Sequence, residues 1–184
     1  TLARLDAASE REPPAPVDLG ALVGTAMADA QALAYTRGIT LEGRVEAAVV
    51  IDGYATQLRS LVDNLIDNAL HYTPEGGQVW VELAPRRREI GLCVRDNGPG
   101  IPATERERIF DRFYRVPGTE AQGSGLGLAI VRRIAELHGA SIEVGDAPGG
   151  GTLVTVLFPV ETGAPAQTDR VPMDIRPPGS ACLG

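Results

Sequence analysis

Two stretches decide how this chain reads: DNGPGIP at residues 96–102 and GSGLGLAIV at residues 123–131. The first ends an apolar run, IGLCV at residues 90–94, so Asp96 sits where a buried strand emerges, its carboxylate held at the mouth of a pocket. A fixed carboxylate accepts a hydrogen bond from an exocyclic amine. Gly98 and Gly100 remove side chains where the backbone turns sharply or lets a planar ligand come close, and Pro99 stiffens the turn. In the second block Gly123, Gly125 and Gly127 lead into an amphipathic helix whose apolar positions include Leu126, Ile130, Ile134 and Leu137. Free backbone N–H groups at such a helix start favour phosphate. Alone, either block is an ordinary turn or a close-packing device; together they read as a nucleotide pocket.

Upstream, residues 61–73 read LVDNLIDNALHYT, and helical spacing puts Leu58, Leu61, Val62, Leu65, Ile66 and Ala69 on one face. Asn64, Asn68 and His71 then form a separate polar stripe. That stripe is either a solvated helix face or a row of ligand contacts. Two asparagines one turn apart beside a buried face favour the second, because asparagine is a mediocre helix former whose carbonyl suits Mg²⁺. Asn68 is the metal candidate.

NLIDNALHYT (64–73), DNGPGIP (96–102), IFDRFYR (109–115), GSGLGLAIV (123–131) and GGGTLVTVLFP (149–159) resemble, in that order, the N, G1, F, G2 and G3 boxes of sensor histidine kinases. The resemblance spans residues 17–159. It implies an α/β fold, a two-layer sandwich of a mixed sheet on about three helices, as in gyrase, Hsp90 and MutL. It also implies the catalytic, ATP-binding domain of a two-component kinase. Position by position, Asn68 would bind Mg²⁺ bridging the phosphates, with Asn64 and His71 on the phosphates or on the metal's waters. Tyr72 would lie against the adenine, and Asp96 would take the adenine amino group, with Gly98, Gly100 and Ile101 shaping that end. Gly123, Gly125, Leu126 and Gly127 would hold the triphosphate and close its lid, Thr152 would complete the nucleotide contacts, and Arg112 and Arg115 would reach the γ-phosphate. Plainer roles stand beside these. Tyr72 could simply pack, His71 could be a solvated helix-end histidine where many relatives carry lysine, and Arg112 and Arg115 could pair with Asp111 or Glu107. Phe110 and Phe113 read as lid or partner-helix contacts.

Absences narrow the chemistry. All 17 basic residues are arginine, so neither a P-loop lysine nor a Ser/Thr-kinase lysine exists here. In the ATPase relatives a glutamate one turn before the metal-binding asparagine activates water, but this chain has Asn64 there. A carboxamide is no general base, so the resemblance implies phosphoryl transfer with slow hydrolysis. The same substitution weighs against anti-sigma-factor serine kinases, the alternative enzyme reading. A nucleotide-gated binding module without phosphotransfer is the alternative from another class. The phosphoacceptor of a sensor kinase stands in a His-Glu or His-Asp context, whereas His71 is followed by Tyr72 and His138 by Gly139. TLARLDAASE at residues 1–10 resembles the last turns of the hairpin that carries that histidine. The expectation is therefore a fragment that binds ATP and does not autophosphorylate alone, its partners being its own dimerisation and phosphoacceptor domain and a response regulator.

Residues 1–16 read as the end of that hairpin plus a proline-punctuated linker, 17–160 as the catalytic domain, and 161–184 as a disordered tail. The hydrophobic fraction is 43% with 4% aromatic, which predicts an aliphatic core. A net charge of −7 argues against a nucleic-acid surface. No run approaches the roughly 20 apolar residues of a membrane span and no signal peptide opens the chain, so membrane attachment is expected only through upstream segments. Cys93 and Cys182 offer no metal spacing or disulfide framework, which fits a reducing cytoplasm. The element order predicted is a helix capped by Asp18 and running to about residue 37, strands near 39–45 and 49–52, and the asparagine helix over 54–73. A hairpin of 78–84 and 89–95 follows, then a short helix over 102–109. After a mobile lid over 112–123, strands at 141–144 and 152–159 close the sheet.

Overall fold

The computed structural model describes residues 13–86, 88–117 and 124–160. The expected hairpin end at 1–10, the tail at 161–184 and the second half of the expected lid, 118–123, with Gly123, lie outside the described residues.

Strand β1 (Ala15–Asp18) runs into helix α1 (Leu19–Thr36), β2 (Thr40–Val45), β3 (Val50–Gly53) and helix α2 (Ala55–Tyr72). The hairpin β4 (Gln78–Pro85) and β5 (Glu89–Asp96) follows, then helix α3 (Gly127–Leu137), β6 (Ser141–Asp146) and β7 (Thr152–Pro159). Asp18 caps α1 as expected, its carboxylate accepting from Ala21 N at 3.0 Å. β1 begins inside the segment read as linker, because its residues pair antiparallel with β3 in a small two-stranded sheet.

The main sheet has the order β2-β4-β5-β7-β6, with β2 and β4 parallel and every other pair antiparallel. Adjacent parallel strands need a crossover, and here the crossover contains α2. This helix buries Leu58, Leu61, Val62, Leu65, Ile66 and Ala69, the face its spacing predicts, together with Gln57 and Leu70. Ile90, Leu92 and Val94 of β5 and Val154, Val156 and Phe158 of β7 enter the same core cluster. Cys93 is buried beside Thr155, the Sγ–Oγ1 distance being 3.1 Å, and outside that cluster.

Two expectations need correction. Residues 102–109 form no single helix but two 3-10 turns, Ala103–Glu105 and Arg108–Phe110. Only Ile109 in this charged run is buried, so there is no apolar stripe for a longer helix to bury. In α3 the buried positions are Leu128, Ala129, Val131, Ile134 and Ala135. Of the four expected, only Ile134 is fully buried, Leu126 and Ile130 are half-buried, and Leu137 is exposed. The helix turns one broad face inward: Leu128, Val131, Ile134 and Ala135 enter the core cluster and Ile130 packs half-buried against it.

At its far end α3 is tied to the start of α2. His138 Nδ1 donates to Ile134 O at 2.8 Å, its Nε2 accepts from Tyr54 N at 3.1 Å, and its ring meets that of Tyr54 edge-on at 5.7 Å.

Candidate functional site

Where α2, the end of β5, the second 3-10 turn and the starts of α3 and β7 converge, they enclose a cavity of about 340 Å³, within the range of small-molecule pockets. Of the residues singled out from sequence, Asn64, Asn68, His71, Tyr72, Asp96, Gly100, Ile101, Arg115, Gly125, Gly127 and Thr152 line it. Gly98, Leu126 and Arg112 do not. Asp67, Pro99, Ile109, Tyr114, Val116, Ser124 and Leu128 complete the wall and were not foreseen. Asp67 had a legible signal, since three residues after Asn64 on a helix is the same face. Tyr114 had none beyond its place between two arginines.

Asp96 is the last residue of β5 and is 8% exposed. Its Oδ1 accepts from Gly98 N at 2.8 Å and from Thr152 N at 3.1 Å. Gly98 therefore serves the site through its N–H rather than as wall. Burial pushes the Asp96 carboxyl above its ordinary range, and the two N–H donors oppose that shift. Behind it the turn before β7 presses close: a Cβ on Gly151 would stand 2.1 Å from Asp96 O, and its φ of 99° suits glycine alone. The third glycine motif thus fixes the carboxylate from behind.

On α2, Asn64 Nδ2 donates to Ser60 O at 2.7 Å and Ser60 Oγ at 3.3 Å. That leaves Oδ1 facing α3, where it stands 3.1 Å from the place a Cβ on Gly127 would occupy. Asn68, one turn on, is half-buried and makes no side-chain hydrogen bond among the described residues. Its carbonyl oxygen is thus available to a hard cation. Asp67 beside it is exposed as a residue, yet neighbouring protein and then the Asp63 charge raise its carboxyl. Burial, then Arg37 and Arg115, hold His71 below the ordinary imidazole range, with Asp67 pulling the other way.

The wall opposite is made by the F-type motif. Tyr114 donates to Glu105, and the Arg108 guanidinium lies over its ring at 4.3 Å. Phe113 N donates to Gly125 O at 2.9 Å, joining this segment to the glycine turn before α3. A Cβ on Gly125 would come within 2.8 Å of the Phe113 backbone, so that crossing requires glycine. Arg112 is exposed and lies off the cavity wall.

The chain matches the family described as histidine kinase-, DNA gyrase B- and HSP90-like ATPase over residues 53–162. It is 43% identical over 160 residues to the sensor protein kinase PmrB of Pseudomonas aeruginosa, covering 86% of this chain and 33% of that protein. It is 41% identical over 152 residues to the sensor protein QseC of Escherichia coli, covering 82% of this chain and 33% of that protein. The chain thus spans about a third of the relatives it matches. Among solved structures, the mycobacterial sensor histidine kinase MprB superposes with a TM-score of 0.70 at 32% identity, covering 79% of this chain and 97% of that one. The ATP-binding domain of PrrB from Mycobacterium tuberculosis gives 0.67 at 28%, covering 82% and 100%. The five-stranded mixed sheet on three helices, the cavity and these matches agree: the chain belongs to the histidine kinase-, DNA gyrase B- and HSP90-like ATPase family and is the ATP-binding catalytic domain of a sensor histidine kinase.

Proposed function

We propose that this domain binds Mg²⁺-ATP and that, in the intact receptor, it passes the γ-phosphoryl group to a histidine on a dimerisation domain, for relay to a response regulator. The observation that carries this reading is Asp96, a buried carboxylate at the end of β5. Its Oδ1 is held by two backbone N–H groups while the residue lines the same cavity as Asn68. A carboxylate has acceptor capacity for about four hydrogen bonds, so Asp96 retains capacity for an adenine amino group. Tyr72, Gly100 and Ile101 flank it, and Thr152 supplies the N–H that orients it.

At the other end Asn68 offers the oxygen for Mg²⁺, which would neutralise phosphate charge when bound. Asn64, His71, Gly125, Gly127 and Arg115 surround the place for the phosphates. Gly123 is assigned the same role by resemblance alone. Leu126 and Arg112 lie off the wall, so their proposed share is lid closure and a reach toward the γ-phosphate. None of these residues is a general base in the position of an ATPase glutamate, since Asn64 occupies it. The proposed chemistry is therefore positioning and charge neutralisation, with the P–O bond to the leaving ADP broken as the P–N bond to the acceptor forms.

No described helix is long and apolar enough to cross a membrane. We place the domain on the cytoplasmic side of a bacterial inner-membrane receptor, supported by its likeness to a structure named as the cytoplasmic segment of histidine kinase QseC. The proposed domain division is 1–16 hairpin end and linker, of which Ala15 and Pro16 pair with β3, 17–160 catalytic domain, and 161–184 tail. Calorimetric titration with ATP, with and without Mg²⁺ and beside GTP, tests the nucleotide reading. Adenine-selective, Mg²⁺-dependent binding is expected, and a folded sample that binds neither nucleotide overturns it. Adding the phosphoacceptor hairpin in trans and assaying acid-labile phosphate tests the transfer.

A further inference from the structure

Arg37 is the residue on which α1 ends, its own N–H bonded to Leu33 O and Ala34 O at 3.1 Å each. From that anchored backbone its side chain crosses to the last turn of α2. One guanidinium nitrogen donates to Leu70 O at 3.3 Å, and the other lies 3.2 Å from His71 Nδ1. A guanidinium has donors and no acceptor, so Nδ1 is the acceptor and the neutral ring carries its proton on Nε2. Nε2 is buried and has no hydrogen-bond partner among the described residues. A buried donor left unmet is costly, and His71 lines the cavity beside Asn64 and Asn68.

We propose that Arg37 is a positioning residue of the nucleotide site, holding His71 in the neutral tautomer whose Nε2–H donates to a phosphate oxygen of the bound nucleotide. The inference rests on the nucleotide reading above and deepens it. Where a lysine would bring a full charge on a flexible stem, this chain brings a fixed neutral donor. The charged groups facing the ring are Arg37 from α1, Arg115 from the segment after the second 3-10 turn, and Asp67 from α2 itself. Protonating the ring would set an N–H against the Arg37 guanidinium, which adds to burial in holding His71 below the ordinary imidazole range.

The chain has two histidines, and the other is held in the opposite tautomer, Nδ1 donating to Ile134 O and Nε2 accepting from Tyr54 N. It is an internal control. With ¹⁵N-histidine in the full chain at about pH 7.5, His71 should show a protonated Nε2 and an unprotonated Nδ1, and His138 the reverse. Mg²⁺-ATP should move the His71 Nε2–H signal and leave His138 in place. Arg37→Met should let His71 mix tautomers and weaken ATP about tenfold, while Arg37→Lys, which keeps a donor, should recover most of that affinity. Should Arg37→Met fail to fold, the native titration and Arg37→Lys decide. A protonated Nδ1 at His71 in the native chain overturns the inference. So does a folded Arg37→Met with tautomer and affinity unchanged. ATP binding that leaves the Nε2–H unmoved sinks this inference alone, whereas no ATP binding by the folded chain sinks the nucleotide reading beneath it.

Discussion

Asp96→Asn separates ligand chemistry from folding more cleanly than any other change in this site. In the native chain two backbone N–H groups converge on Oδ1, and an asparagine in the same rotamer keeps both through its carbonyl oxygen. Its amide then faces the cavity as a donor toward the donor amino group of adenine. Losing a hydrogen bond to a charged acceptor and facing donor with donor costs about 3 kcal/mol, a loss in ATP affinity of over a hundredfold. Stability should move the other way or not at all. Burial raises the folded-state pKa of Asp96, so the ionised carboxylate is a net cost of folding. That cost is absent where both states are protonated. It grows as pH rises from the ordinary aspartate range through the raised folded value, and is fully present above it. Asparagine removes it, so the variant should match the native chain at acid pH and equal or slightly exceed it near neutrality, within about 1 kcal/mol. Calorimetry with ATP and thermal melts at two pH values read both quantities. An ATP affinity within threefold of native would refute the adenine assignment. A melting point lowered by several degrees would show instead that the carboxylate holds the fold.

Gly151→Ala should destabilise the domain by about 2–4 kcal/mol, because the added Cβ meets Asp96 O at 2.1 Å in a left-handed backbone conformation; a native urea midpoint would show that the turn yields. Both histidines are held below their ordinary basicity, mainly by burial. The unfolded chain therefore binds more protons below about pH 6.5, and stability is full above that value and lost as pH falls toward the folded pKa values. Urea denaturation at about pH 7.5 and 5.5 should show that loss, and His138→Asn should reduce it; a variant with an unchanged pH slope would mean that burial of His138 does not set the pH dependence. Asn68→Asp should retain Mg²⁺ while placing a charge beside the phosphates, so transfer to a supplied phosphoacceptor hairpin should fall. Full transfer activity would remove Asn68 from the metal.

The motif order, the capping Asp18, the buried face of α2 and the strands of the main sheet were legible in the sequence because each rests on local spacing: alternation in strands, a period near 3.6 in α2, glycine and proline at turns. Spacing also placed Asn64, Asn68 and His71 on one stripe, and all three line the cavity. What it could not rank was the apolar positions of α3, where Leu128, Val131 and Ala135 are buried while Ile130 is half-buried and Leu137 exposed. Nor could it see that residues 102–109 bury a single apolar side chain, or that β1 finds a partner in β3 more than thirty residues away. Tyr114 and Val116 join the wall, and Arg112 leaves it, by the path of the backbone just after the second 3-10 turn. The link between Arg37 and His71 spans two helices and has no period at all. Local pattern records which face a residue takes, and only the packing of distant segments decides what that face meets.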